Sequence, residues 1–383
     1  MKILNIFTLS TTAQSFFDGQ FKYLSDAGCD VWVASASEEP EEFVRENNLT
    51  YRQFDIRRSI SPFADLMTIA VLWNFMRRER FDAIVGHTPK GAMVAMFAAK
   101  FAGVKIRVYY RHGLIYTTAT GLKRFVLKTV EQLTAACATT IVNVSPSLSK
   151  LAIKDHLNSD KKQHVIGSGT CGGIDTITVF NPENVSPDEV IYFRQTLGIS
   201  SDTFVVGFCG RLCRDKGIIE LIDGFKLFQK AHPEIDARLL LVGPYDARDI
   251  LPQHTKDEIE SNPLIIATGR VSHYYLPNYY SLMDVFVFPS YREGFGMTVI
   301  EASAMSLPIL VSRSHGCVDS IRENITGQYI DITPESIADS IAQMLDLNLR
   351  RRLGTAGRTF VTENFERTRM WPEIIKFYNS LNL

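Results

Sequence analysis

The chain has 383 residues, 45% hydrophobic and 22% charged, a composition that builds ordinary globular cores and leaves room for two domains. Its 41 basic and 42 acidic residues give a formal charge of −1, so no global field draws it to nucleic acid. Cys29, Cys137, Cys171, Cys209, Cys213 and Cys317 are scattered without a Cys-x-x-Cys pair, which fits reduced thiols and speaks against a disulfide framework or a zinc site.

The opening run MKILNIFTLS is too short to span a bilayer and lacks a cleavage site, so it predicts a buried first strand. No other run reaches about eighteen uninterrupted apolar residues, which leaves only peripheral contact with a membrane. An amphipathic helical stretch from Phe16 to Ala27 follows, then the strand DVWVAS and a helix around Pro40 to Asn47. FDAIVGH at 81–87, the small-residue helix GAMVAMFAAKFAG, KIRVYY at 105–110, a helix from about Leu122 to Cys137 and TTIVNVS continue the alternation. Strands alternating with helices predict a parallel sheet covered on both faces.

After GSGTCGGIDTITVFNPENVSP the pattern restarts with FVVGFCG, a helix from Gly217 to His232, ARLLLVGP, PLIIATG, DVFVFPS, a helix after Gly296 and LPILVS. The simplest account is an α/β protein of two Rossmann-like domains facing across a cleft, with ligands at the carboxyl ends of the strands. The expected boundaries are 1–180 and 181–364. The tail, 365–383, predicts one amphipathic helix with Trp371, Ile374, Ile375 and Tyr378 on its apolar face.

Two constellations carry chemistry. In YREGFGMTVIE a strand's end loop leads into a helix expected to start near Met297, whose first N–H groups and positive dipole end suit a phosphate. Gly294 and Gly296 let a ligand approach. Glu301 then lies about 6 Å along the helix axis, within reach of a ribose, and Glu293 faces the other way along such a ligand. In GFCGRLCRDKG, between Gly210 and Gly217, Arg211 and Lys216 can place two cations on one diphosphate and stabilise its departure electrostatically. Taken alone, each acid also reads as a solvated loop or helix-surface residue.

These two constellations, about 80 residues apart, resemble those of the retaining glycosyltransferases of family four, which have the GT-B fold; GRLCRDKG, the two-glutamate motif EGFGMTVIE and the GSGTCGGIDTITVFNP linker carry the likeness. HTPKGAMVAMFAAK, RHGLIY and EASAMSLPILVSRSHGCVDSI look like the bacterial polysaccharide branch that extends O-antigen, capsule or protein-glycan precursors on undecaprenyl diphosphate. The resemblance implies an acceptor-binding first domain, a nucleotide-sugar-binding second domain and a C-terminal helix crossing back to the first. It implies that Arg211 and Lys216 hold the diphosphate, Glu301 the ribose, Glu293 the donor sugar, and the backbone of Gly210, Gly296, Met297 and Thr298 the rest of the donor. Arg270 and Val271 would meet the uracil, and His112 would lie close to the transferred sugar. Many relatives have a glycine-glycine loop after the first strand; here TLSTTAQSFF stands in its place, with Thr11, Thr12 and Gln14 as substitutes on the acceptor side. GFG replaces the GFP of several relatives.

His87 and Lys90 are further acceptor-side candidates, although a packed histidine and a solvated loop lysine are the bland alternatives, as a packed strand-end histidine is for His112. His315 and Cys317 read as loop packing. Basic residues gather in the first half: Arg57, Arg58, Arg77, Arg78, Arg80, Arg107, Arg111, Lys123, Arg124 and Lys128. Beside the last three, Phe125, Val126 and Leu127 suit the edge of an anionic membrane. The expectation is therefore transfer of a hexose or N-acetylhexosamine from a UDP-sugar to a lipid-linked glycan, without a metal or other cofactor, by a cytoplasmic enzyme peripheral on the inner face of the bacterial plasma membrane, with no nucleic-acid partner. A UDP-sugar epimerase of the same architecture and a noncatalytic two-lobed binding protein are the rivals.

Overall fold

Leu4, Asn5 and Ile6 are all withdrawn from solvent without alternation, the burial expected of a parallel strand covered by helices on both sides. The computed structural model, which describes residues 1–59 and 61–381, contains two parallel sheets in two units: residues 1–173 with 368–383, and residues 174–367.

The first unit runs β1 (Lys2–Ile6), α1 (Ser10–Phe17), α2 (Gln20–Asp26), β2 (Asp30–Ser35), α3 (Glu41–Glu46), β3 (Thr50–Gln53), α4 (Pro62–Glu79), β4 (Ala83–His87), α5 (Pro89–Ala102), β5 (Ile106–Arg111), α6 (Gly121–Cys137), β6 (Thr140–Asn143), α7 (Pro146–Lys154) and β7 (Gln163–His164). Its strand order is β3-β2-β1-β4-β5-β6-β7. The second runs α8 (Pro187–Thr196), β8 (Phe204–Cys209), α9 (Ile218–Ala231), β9 (Ala237–Val242), α10 (Gln253–Ser261), β10 (Ile265–Gly269), α11 (Leu276–Ser281), β11 (Val285–Phe288), α12 (Met297–Ala304), β12 (Ile309–Ser312), β13 (Gly327–Ile330), α13 (Pro334–Gln343) and α14 (Leu347–Phe365), in the order β10-β9-β8-β11-β12-β13. α15 (Arg367–Ser380) follows and belongs almost wholly to the first unit.

Each sheet starts on an inner strand, grows to one edge and then crosses back to grow the other way. The crossing falls between β1 and β4 in one sheet and between β8 and β11 in the other, so the carboxyl ends of these pairs are the topological switch points where such sheets hold ligands. Small residues set α5 close on β4: a Cβ at Gly86 would stand 2.7 Å from the Ala92 Cα. α4 packs beside α5, and α5 beside α6.

Four expectations are corrected. The stretch from Phe16 to Ala27 is not one helix, because the chain turns at Gly19, in the left-handed region at φ 74°, between α1 and α2. Thr11, Thr12 and Gln14 stand not on a loop but on α1. Phe365 ends α14, and the last helix starts at Arg367 with Met370, Ile374 and Tyr378 buried and Trp371 and Ile375 half-buried; its expected end at Leu383 lies outside the described residues. Arg111 is no surface cation: its guanidinium is wholly buried and donates to Glu131, Asn143 and Asn158 at 2.8, 3.0 and 3.0 Å. Among the described residues no helix is long and apolar enough to cross a membrane.

Candidate active site

At the β8/β11 switch point, the segment after β8 turns sharply through Gly210 (φ 150°) and Gly217 (φ 68°). An added Cβ on Gly217 would run into the Pro289 carbonyl oxygen, so only glycine lets this loop pack against the end of β11. That close packing brings Lys216 and Glu293 together as a mostly buried ion pair, side chains 13% and 14% exposed. The Ser290 hydroxyl donates to the same Glu293 oxygen at 2.8 Å, and the Lys216 ammonium lies 4.9 Å from the Phe288 ring centre. Arg211 is more open and pairs with the buried carboxylate of Asp246. The two cations are thus each held by an acid, where the sequence alone leaves them free.

α12 starts at Met297, as its motif predicts, with Gly296 (φ 23°) as N-cap and no side chain capping its first N–H groups. Its first turn therefore presents backbone donors and the positive end of the helix dipole beside half-buried Met297 and Thr298. One turn further, Glu301 is buried and accepts the Tyr280 hydroxyl at 2.8 Å. Burial pushes its carboxyl above the usual carboxylate value, while nearby His273 and the Tyr280 hydroxyl pull it back. Arg270, exposed, and Val271, half-buried, follow Gly269 at the end of the edge strand β10, two strands from β8 and outside the Lys216–Glu293 cluster. Burial pushes the thiols of Cys209 and Cys317 up to about 12, which leaves both neutral and poor nucleophiles.

The β1/β4 switch point of the first unit holds a chain of hydrogen bonds. His87 Nε2 lies 3.2 Å from Asn5 Oδ1, His87 Nδ1 lies 3.1 Å from His112 Nε2, and His112 Nδ1 lies 3.3 Å from Cys171 Sγ. With the Asn5 oxygen accepting, the chain has one consistent sense: the Cys171 thiol donates to His112, His112 to His87, and His87 to Asn5. Both rings are then neutral. Burial pushes His112 down to about 4 and lowers His87 as well, with a smaller contribution from charge on His112. His87 stacks on Phe7 at 4.1 Å. Thr8 and Thr88 share a hydroxyl hydrogen bond of 2.7 Å across the same strands, with Thr88 at φ 60°. Lys90 is not a solvated loop lysine: it lies in the first turn of α5 and pairs with Asp65, both side chains mostly buried. Of the α1 candidates, Thr11 is exposed and Thr12 and Gln14 are half-buried.

Motif reading missed Asp246, Ser290 and Tyr280 around the cations and acids, and Asn5, Thr8, Thr88 and Cys171 around the histidines. One signal was present: Asn5 is a lone amide set among the apolar Ile3, Leu4 and Ile6 of the first strand. Among the described residues no three His, Cys, Asp or Glu side chains converge as metal ligands would.

A profile of the glycosyl transferases group 1 matches residues 191–360, and one of the glycosyl transferase 4-like domain matches residues 13–169. The chain is 30% identical to the capsular polysaccharide biosynthesis glycosyltransferase CapM of Staphylococcus aureus, over 99% of this chain and 98% of that one. It is 23% identical to an Escherichia coli UDP-Gal:alpha-D-GlcNAc-diphosphoundecaprenol alpha-1,3-galactosyltransferase, over 76% of this chain and 73% of that one. The crystal structure of Anabaena HepE in complex with UDP-glucose superposes with a TM-score of 0.81 at 18% identity, covering 99% of this chain and all (100%) of that one. The two parallel-sheet units, the profile matches and a full-length relative at 30% identity agree: the chain belongs to the group 1 glycosyl transferases, glycosyltransferases of GT-B fold, in their bacterial capsule and polysaccharide branch.

Proposed function

We propose that the enzyme transfers a hexose or N-acetylhexosamine, with retention of anomeric configuration, from a UDP-sugar to a glycan carried on undecaprenyl diphosphate. The observation that carries this reading is the cluster at the β8/β11 switch point. Two cations, an uncapped helix start and a buried acid one turn into that helix form a sequence of partners for diphosphate and ribose. Further support comes from relatives whose names specify diphospho-undecaprenol acceptors, in Escherichia coli and Campylobacter jejuni, and from a fold neighbour whose crystals hold UDP-glucose.

In this reading the donor's diphosphate displaces Glu293 from Lys216, which frees the Glu293 carboxylate to accept hydroxyls of the sugar. Arg211, Lys216 and the start of α12 neutralise the charge that grows on UDP as the anomeric C–O bond breaks. The acceptor hydroxyl forms the new bond from the same face, and its proton passes to the departing phosphate oxygen. His112, neutral and with both ring nitrogens engaged, shapes the acceptor side and takes no part in proton transfer. Because the protein supplies the countercharge, turnover is expected to survive EDTA. Attachment to the membrane is peripheral, through the exposed Leu122, Phe125 and Val126 of α6 beside Lys123, Arg124 and Lys128.

The test is a panel of UDP-sugars with an undecaprenyl-diphosphate-linked acetamido sugar, following UDP release with and without acceptor for the native enzyme and Glu293→Ala. One donor should give acceptor-dependent release and an α-linked product by NMR, with turnover down at least about a hundredfold in the variant. Isomerised UDP-sugar without any acceptor product would establish an epimerase instead, and UDP binding with no turnover on any acceptor would leave a binding protein.

A further inference from the structure

The outward side of α4 is apolar over its first three turns, although it faces away from the core. Thr68, Leu72 and Met76 face inward with Asp65, while Phe63, Leu66, Met67 and Val71 stand outward, between 52% and 80% exposed. A surface helix normally keeps its outer face polar, and a contiguous exposed apolar face marks a binding surface. This face is also concave. A cavity of about 430 Å³ opens along it, walled by Phe54, Phe63, Met67 and Val71, with Arg57 and Asp55 supplying its polar side.

The cavity's place in the fold narrows its occupant. α4 leaves the carboxyl end of β3, and the Asp65–Lys90 ion pair fastens its first turn to the first turn of α5. Lys90 follows Thr88 and His87 at the end of β4, so the cavity lies on the same edge of the sheet as the β1/β4 switch point. Arg57 is loosely held, 3.4 Å from Asp55 with its side chain 57% exposed, and is free to turn to a stronger anion. An apolar slot with a guanidinium at its polar side matches a hydrocarbon chain ending in phosphate.

We propose that this cavity takes the first isoprenoid units of a polyprenyl-diphosphate-linked acceptor, with Arg57 turned to the diphosphate. The proposal rests on the lipid-linked acceptor argued above. The slot is half-open, but it joins an apolar floor to a guanidinium on one side, which suits one chain with an anionic end, and it sits on the edge where the acceptor side is built.

The experiment uses the full chain, with ligand binding measured free of vesicles and flotation on phosphatidylglycerol vesicles measured separately. Binding of farnesyl diphosphate and of isopentenyl diphosphate, below micelle-forming concentrations, is measured by calorimetry for the native protein, Met67→Asp/Val71→Asp and Arg57→Gln. Both replaced apolar residues are more than half exposed, and thermal unfolding checks that the variants fold. The native protein should bind the longer chain at least about tenfold tighter, as burial of additional methylene and methyl groups requires. The double variant should lose that preference, and Arg57→Gln should weaken both ligands alike. The KM ratio of acceptors carried on the two chains should move in parallel. A native protein without chain-length preference, or a preference that persists in the double variant, overturns the proposal. So does a double variant that loses only flotation on phosphatidylglycerol vesicles, since the face would then be a bilayer contact. If no sugar is transferred to any acceptor while the farnesyl preference and its loss are seen, the transferase reading fails and the hydrocarbon site stands.

Discussion

Burial makes Glu301 a costly residue to keep. Its carboxyl is enclosed, raised above the usual carboxylate value, and stabilised by little more than Tyr280 and His273. An acid whose folded pKa lies above its unfolded value supports the fold at low pH, and that support is lost as pH rises from the unfolded value, about 4.5, through the folded one. Glu301→Gln should therefore melt higher than the native enzyme at pH 8, with the gap closing by pH 4, while UDP-sugar binding weakens about tenfold or more through loss of the charged acceptor. Thermal melts across pH, paired with donor titrations, check both signs. His112 has the opposite sense. It is neutral in the fold with a value near 4, so its support is complete above about 6.5 and is lost as pH falls from there toward 4. The drop in urea midpoint between pH 7.5 and pH 5 should shrink in His112→Gln. The places of both residues were legible in the sequence, because short motifs put Glu301 one turn into α12 and His112 just after β5. Their partners were not: Tyr280, Asn5 and Cys171 come from distant segments, and only the folded sheet brings them into range.

At the scale of elements, the loop between β8 and α9 works only because its glycine is left-handed and its Cβ is absent. Gly217 and Gly198 share nearly the same φ, 68° and 65°, but a Cβ on Gly198 meets nothing within 4 Å whereas one on Gly217 meets the Pro289 carbonyl. Gly198→Ala should cost about 1 kcal/mol for the conformation alone, and Gly217→Ala at least about twice that, because the end of β11 must move. Denaturant titration gives both values, and only Gly217→Ala should also raise the donor KM, since Lys216 and Glu293 move with that contact. Most strands and the start of α12 were legible, because parallel strands are unbroken apolar runs and the helix follows a glycine at Gly296. α4 was not read at all. Periodicity finds a helix by contrast between its faces, and the outward Phe63, Leu66, Met67 and Val71 remove that contrast. The break between α1 and α2 escaped for the opposite reason: one apolar period runs through the turn at Gly19 without a proline to mark it.

For the molecule as a whole, the chain leaves its first unit once and returns with α15. The returning helix is held by specific contacts. The Trp371 indole N–H donates to the Gly172 carbonyl at 2.9 Å, and its ring packs against the Gly19 turn and Tyr23. Met370 lies beside Gly167, and Phe377 meets His164 of β7 at 5.7 Å. The second unit is closed off before that point: Glu366 accepts from the Thr176 N–H and hydroxyl, both at 2.6 Å, and Ile174 N–H donates to the Phe365 carbonyl at 2.9 Å. Removing residues 368–383 therefore takes apolar cover from the first unit and leaves these contacts of the second in place. Hydrogen exchange on the truncated chain should show lost protection at the α1–α2 turn and β7, with β8, β9 and β11 protected as before. Trp371→Ala, a half-buried side chain, should reproduce the pattern more weakly, at a cost of about 2 kcal/mol. Equal loss of protection in both units would mean that α15 stabilises the protein as one cooperative body, and would overturn the division at residue 367.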